Sequence, residues 1–154
     1  MELQLDFKVV ESKAELCDYL SGGKCKYYIM YEFGMIMPKE VFEFDDRKVF
    51  NFYPGSIMTN RGAHPIVWSI LNDEKYTIMT VYEVTASVDE GKIISQKVYE
   101  IEEEDSVKTL KEKMENGAEE QLLSVYNYIF EKENKNLGRG RDNAKKDKKG
   151  RLYD

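Results

Sequence analysis

The chain has 154 residues, 42% of them hydrophobic and 12% aromatic, with a formal net charge of −6, which fits one globular domain with a single core. The acidic balance argues against a general nucleic-acid or membrane-surface binder, and no run approaches the roughly 18 apolar residues of a membrane span. The start, MELQLDFKVV, carries no run of signal-peptide length, and one histidine with two cysteines makes a zinc site improbable, so a cytoplasmic chain with reduced thiols and no metal is expected.

In chain order, Phe7 to Val10 reads as a short strand. Ser12 is a plausible N-cap for a helix through Leu20, with Glu15 as capping-box partner and Gly22-Gly23 as its end. Tyr27 to Phe33 (YYIMYEF) is an apolar, aromatic-rich run of strand length and reads as a strand buried on both faces, as in a parallel sheet. Pro38 opens a helical turn, PKEVFEF. Lys48 to Tyr53 is a further strand, stopped by Pro54-Gly55, and Pro65 starts a helix that can turn Ile66, less regularly Trp68, Ile70 and Leu71 to a core.

Thr77 to Val84 is nearly all β-formers, and Lys92 to Ile101 alternates as an edge strand does. Asp105 or Ser106 caps a long helix in which Val107, Leu110, Met114, Ala118, Leu122, Val125 and Ile129 form one apolar stripe, interrupted by Gly117. The order predicts an α/β domain with a mostly parallel sheet, spanning 1–134. Residues 135–154 form a basic segment poor in large apolar residues, expected to be a disordered tail.

Two segments carry the chemistry: Asn51 to Pro65, NFYPGSIMTNRGAHP, and Ser87 to Ile94, SVDEGKII. The first resembles the N-x-H-P-S-L-L-P-x-x-R-G-x-x-P signature of the formyltransferase family, and the second its V-D-x-G-x-I-I loop. Phe33 to Val41 (FGMIMPKEV) resembles the family's Y-G-x-I-L-P-x-E-V segment, and Trp68 to Asn72 with Thr77 to Thr80 fall at its W-A-I-x-N helix and G-V-T strand. The resemblance, to methionyl-tRNA, glycinamide ribonucleotide and sugar-amine formyltransferases, runs unbroken from Tyr27 to Ile94. It implies a Rossmann-like fold, of which the segment before Tyr27 would supply only part, as in an N-terminally truncated relative.

The resemblance implies 10-formyltetrahydrofolate as formyl donor and an amine as acceptor. Asn51 would stabilise the oxyanion and Asp89 would assist proton movement. Phe33, Met37, Val84, Val88 and Gly91 would line the pterin pocket, and Arg61 would anchor the loop or meet an anionic group. Residues 51 and 53 share a strand face, so they emerge together at the strand's C-terminal end, where open α/β sheets bind ligands.

The sequence departs from the signature at Tyr53, where the family has its catalytic histidine, at Gly55-Ser56 and at Met58. A phenol with a reference pKa of about 10 donates a hydrogen bond at neutral pH but shuttles protons poorly. His64 lies across the loop from Asn51, off the strand, and reads as a surface or supporting residue. The expectation is a formyltransferase weakened by Tyr53, with a non-catalytic folate- or partner-binding protein as the alternative. An exposed sheet edge suits a homodimer or a partner chain.

Overall fold

The computed structural model describes residues 7–23, 25–32, 35, 37–38, 47–58, 62–85 and 91–144, with 136–144 as backbone. The elements are α1 (Lys13–Gly22), β1 (Tyr27–Tyr31), β2 (Lys48–Tyr53), α2 (Pro65–Leu71), β3 (Tyr76–Val84), β4 (Ile93–Glu100), α3 (Val107–Asn116) and α4 (Ala118–Ala144). Phe7 to Val10, expected as a strand, has no regular structure. Phe7 and Val9 are exposed, so no neighbour satisfies a ladder there. The PKEVFEF turn lies almost wholly outside the described residues.

The four strands lie in the order β1-β2-β3-β4. Only β1 and β2 are parallel; β2–β3 and β3–β4 are antiparallel. The α/β class holds, with helices flanking the sheet, but the mostly parallel arrangement expected from sequence is corrected to a mixed one. The cause is local. No crossover spanning the sheet separates β3 from β4, whose short connection allows a hairpin, and parallel neighbours need a long crossover.

Alternation along β2 divides the molecule. Phe50 and Phe52 enter the main core with Met79, Val81, Leu110, Met114 and Val125, under α3 and α4. Val49, on the other face, packs with Leu16 and Leu20 of α1. Burying each large apolar side chain of this kind contributes about 1.5–3 kcal/mol. Ser12 caps α1 by accepting from the Glu15 N–H at 3.2 Å, while the Glu15 carboxylate takes the Glu11 N–H at 3.1 Å, one residue before the position a capping box would use. Ser106 and Thr109 form the full reciprocal box that opens α3.

The apolar stripe is shared by two helices broken at Gly117. A Cβ there would run into the Tyr99 hydroxyl, so the close approach of Tyr99 selects glycine and ends the first helix. Helix α4 is then tied down by polar contacts. Gln121 donates to the Met79 carbonyl at 3.0 Å, Tyr128 to Glu83 at 2.8 Å, and Lys132 pairs with Glu83 at 3.3 Å. The backbone of α4 continues through 135–144, the first part of the basic segment, and 145–154 lie outside the described residues. Among the described residues no helix is long and apolar enough to cross a membrane.

Candidate functional site

Asn51 and Tyr53 point to the α1 side of the sheet, since Phe50 and Phe52 occupy the other. In register, Asn51 sits between Met30 of β1 and Tyr82 of β3, and Tyr53 lies opposite Thr80. The shared face predicted for residues 51 and 53 is therefore present. The residue that sequence reasoning missed is Tyr82. Its signal was available in principle, because a tyrosine two residues before Val84 shares that residue's face, but only the antiparallel register brings it to Asn51.

The Asn51 amide Nδ2 donates to the Tyr82 hydroxyl at 3.1 Å. Its Oδ1 is buried and has no hydrogen-bond partner among the described residues. A hydroxyl both donates and accepts, so the amide turned over keeps the Tyr82 bond with its direction reversed and puts Nδ2 at the unpartnered position. In either orientation Tyr82 holds one edge of the amide, and the other edge has no partner among the described residues. An unpartnered buried polar atom costs about 1–3 kcal/mol, and such a cost is commonly tolerated where a ligand supplies the missing bond.

Tyr53 has a different role from the one its position suggests. Its hydroxyl donates to the Gly62 carbonyl at 2.9 Å, which fastens the 54–64 loop to the end of β2. Gly62 has φ 131°, a conformation that side-chain-bearing residues rarely adopt. The Tyr53 ring also explains a second departure from the signature. A Cβ at position 55 would lie 2.8 Å from the ring's Cε1 and 2.8 Å from the Pro65 Cβ. Glycine at 55 makes room for the phenol.

His64 is exposed, with φ 59°, and stands at the N-cap of α2 without capping it. It belongs to the helix entry, as read from the sequence. Trp68 and Leu71 of the same helix are largely exposed, so neither faces the core as expected; Ile66 and Ile70 do. A helix of two turns presents too narrow a face to bury all of them.

Met37 and Val84 both pack on the Leu16, Leu20 and Val49 cluster. The structure thus brings these two expected pocket residues together on the Asn51 side of the sheet. Gly91 is fixed by packing: a Cβ there would overlap the Glu83 carbonyl. The Glu83 N–H donates to the Lys92 carbonyl at 2.9 Å, closing the foot of the 85–92 connection. That connection leaves β3 at Val84, opposite Val49, two residues or about 7 Å along the strand from Asn51. Phe33, Arg61, Val88 and Asp89 lie outside the described residues.

The family model described as formyl transferase matches residues 6–126. A methionyl-tRNA formyltransferase from Prochlorococcus marinus (strain MIT 9515) is 29% identical over 118 residues, 77% of this chain and 36% of that protein. Another, from Ehrlichia ruminantium (strain Gardel), is 34% identical over 101 residues, 66% of this chain and 33% of that protein. Among solved structures, phosphoribosylglycinamide formyltransferase from Campylobacter jejuni matches with a TM-score of 0.57 and 26% identity, over 78% of this chain and 65% of that one. The chain spans about a third of the length of the curated relatives it matches.

Proposed function

This chain belongs to the formyl transferase family, and from that premise we propose that it binds 10-formyltetrahydrofolate and transfers the formyl group to an amine slowly. The acceptor class is a sugar-amine or a methionyl-tRNA-type amine. The observation that carries the reading is the Asn51 amide, held by Tyr82 along one edge and, among the described residues, unpartnered along the other. When an amine attacks a formyl carbon, the carbonyl oxygen gains charge, and a positioned amide N–H lowers the energy of that oxyanion. The attacking nitrogen must also lose a proton. Tyr53 is poorly suited to accept it, because a phenol of pKa near 10 is protonated at neutral pH and its O–H is directed to Gly62.

That last bond supports a second reading, a non-catalytic folate-binding relative in which residue 53 serves the loop alone. Both readings require the folate site. Titration calorimetry with a stable 10-formyltetrahydrofolate analogue is the test. Micromolar binding is expected, weakened about 3–10-fold by Asn51→Ala through loss of one hydrogen bond. No binding at millimolar analogue overturns both.

A further inference from the structure

Strand β1 is the outer strand of the sheet, and among the described residues nothing pairs with its free edge. The Lys48 N–H donates to the Lys26 carbonyl at 2.8 Å. In a parallel ladder, alternate residues use both backbone groups on the same neighbour. Lys26, Tyr28 and Met30 therefore face β2, and Tyr27, Ile29 and Tyr31 present their N–H and C=O groups outward. Ile29 and Tyr31 are 40% and 38% exposed, so this edge is both unpaired and apolar.

The edge is self-complementary. Laid antiparallel against a second copy about Ile29, Ile29 meets Ile29, Tyr27 meets Tyr31, and Lys26 meets Glu32. The odd residues are the outward-facing ones, so the central pairs are of the hydrogen-bonded kind and exchange about six backbone bonds, two per pair. Lys26 and Glu32 flank the paired segment with opposite charge. Each also holds a partner within its own chain, Lys26 with Glu133 at 2.6 Å and Glu32 with Lys111 at 2.7 Å. Across the two-fold the charges alternate: Glu133, Lys26, then Glu32 and Lys111 of the second copy.

Helix α4 extends the same surface. Its Tyr128 and Lys132 reach β3 through Glu83, whereas Glu133 reaches β1 through Lys26 and Tyr27. Tyr126 and Phe130 precede Glu133 at helical spacing, so they lie on the β1 side. Their rings stack at 6.3 Å, and Phe130 is 56% exposed. We propose that the chain forms a two-fold dimer by antiparallel pairing of β1 with β1 about Ile29, with the sheets continuous across the axis and the Tyr126–Phe130 stacks flanking it. Isologous symmetry of this kind places the same patch on both subunits.

The full chain is examined by sedimentation velocity across the micromolar range, with a species of twice 18.1 kDa expected. Ile29→Lys, at a position exposed in the monomer, places two ammonium groups side by side and should weaken association at least about tenfold. In a Cys17→Ser, Cys25→Ser background, Ile29→Cys should form an intermolecular disulfide, because Cα atoms of a hydrogen-bonded antiparallel pair lie about 5.5 Å apart. Tyr76→Cys, exposed on a different strand, should not. A monomer throughout the range, or a dimer that Ile29→Lys leaves intact and Ile29→Cys does not cross-link, overturns the proposal. Should Ile29→Lys fail to fold, the cross-link decides.

Discussion

Replacing Tyr53 by phenylalanine and by histidine separates the two roles that residue 53 can have. Tyr53→Phe removes only the hydroxyl that donates to the Gly62 carbonyl at 2.9 Å. Gly62 is exposed, so water replaces the lost donor and the cost sits in the ordinary range of about 0.5–1.5 kcal/mol. At about 2–4 °C per kcal/mol for a chain of this size, the melting temperature should fall by about 1–6 °C. Folate binding and the single-turnover rate of formyl transfer to an amine should stay within a factor of about two, since the bond lost serves the loop. Tyr53→His supplies a titratable group at the same strand position, and general acid/base assistance raises such rates by about 10²–10⁴. The assay is single-turnover consumption of 10-formyltetrahydrofolate with the protein in excess over the donor, alongside a thermal melt. A tenfold or greater loss in Tyr53→Phe with an unchanged melt would refute the loop-fastening account, because the hydroxyl would then be acting on the reacting group. A folded, folate-binding Tyr53→His variant no faster than the parent would show that proton transfer is not what limits the reaction.

Three further outcomes follow from the structure. Gly91→Ala should destabilise the fold by about 1–3 kcal/mol or more, because a Cβ overlaps the Glu83 carbonyl at the base of the β3–β4 connection; urea unfolding measures it, and a neutral result would contradict the packing role given to Gly91. The Asp105 carboxyl is held down at about 2, first by its hydrogen bond from Lys113 and next by the Glu102 N–H. A depressed folded-state value means stabilisation that is complete above the ordinary carboxylate range and lost as pH falls from about 4 to about 2. Asp105→Asn should flatten that acid limb in unfolding curves taken from neutral pH downward, and an unchanged slope would count against the Lys113 pairing. Gln121→Met should remove the donor to the Met79 carbonyl while also removing an Oε1 that has no partner among the described residues, so the two effects oppose and the melting temperature should move little. A drop as large as that of a cavity mutation, about 2–5 kcal/mol, would show that the single bond dominates.

Much of this architecture was readable because it depends on local pattern. The alternation in Lys48–Tyr53 separated Phe50 and Phe52 from Asn51 and Tyr53, and the structure keeps that division. The Ser106 cap and the stripe from Val107 to Ile129 likewise follow from spacing within one or two turns. What was not readable depends on neighbours distant in sequence. Nothing in TIMTVYEV states that β3 runs antiparallel to β2, and that direction alone puts Tyr82 beside Asn51. Tyr99 likewise determines Gly117 from another element. Strand β1 is the instructive error. Its composition reads as buried on both faces, yet it stands at the edge with Ile29 and Tyr31 exposed. Composition reports what surface a strand can bury and does not say which chain supplies the other half, which is why the same residues that misled the reading also define the proposed dimer seam.

The departures from the family signature at 53 and 55 form a single packing solution rather than two separate losses. A phenol at 53 needs the volume that a side chain at 55 would fill, and its hydroxyl reaches Gly62 across that volume. Histidine at 53 is shorter, gives up the Gly62 bond and withdraws one of the two walls, leaving the Pro65 Cβ as the other. Gly55→Ala alone should therefore cost about 1–3 kcal/mol by overpacking, and the same change in a Tyr53→His background should cost less, with a coupling of about 0.5–3 kcal/mol. Strict additivity in urea unfolding of the four proteins would disprove the linkage. If the coupling is present, the parent chain holds a consistent alternative arrangement of the loop, in which the residues at 53 and 55 are fitted to each other.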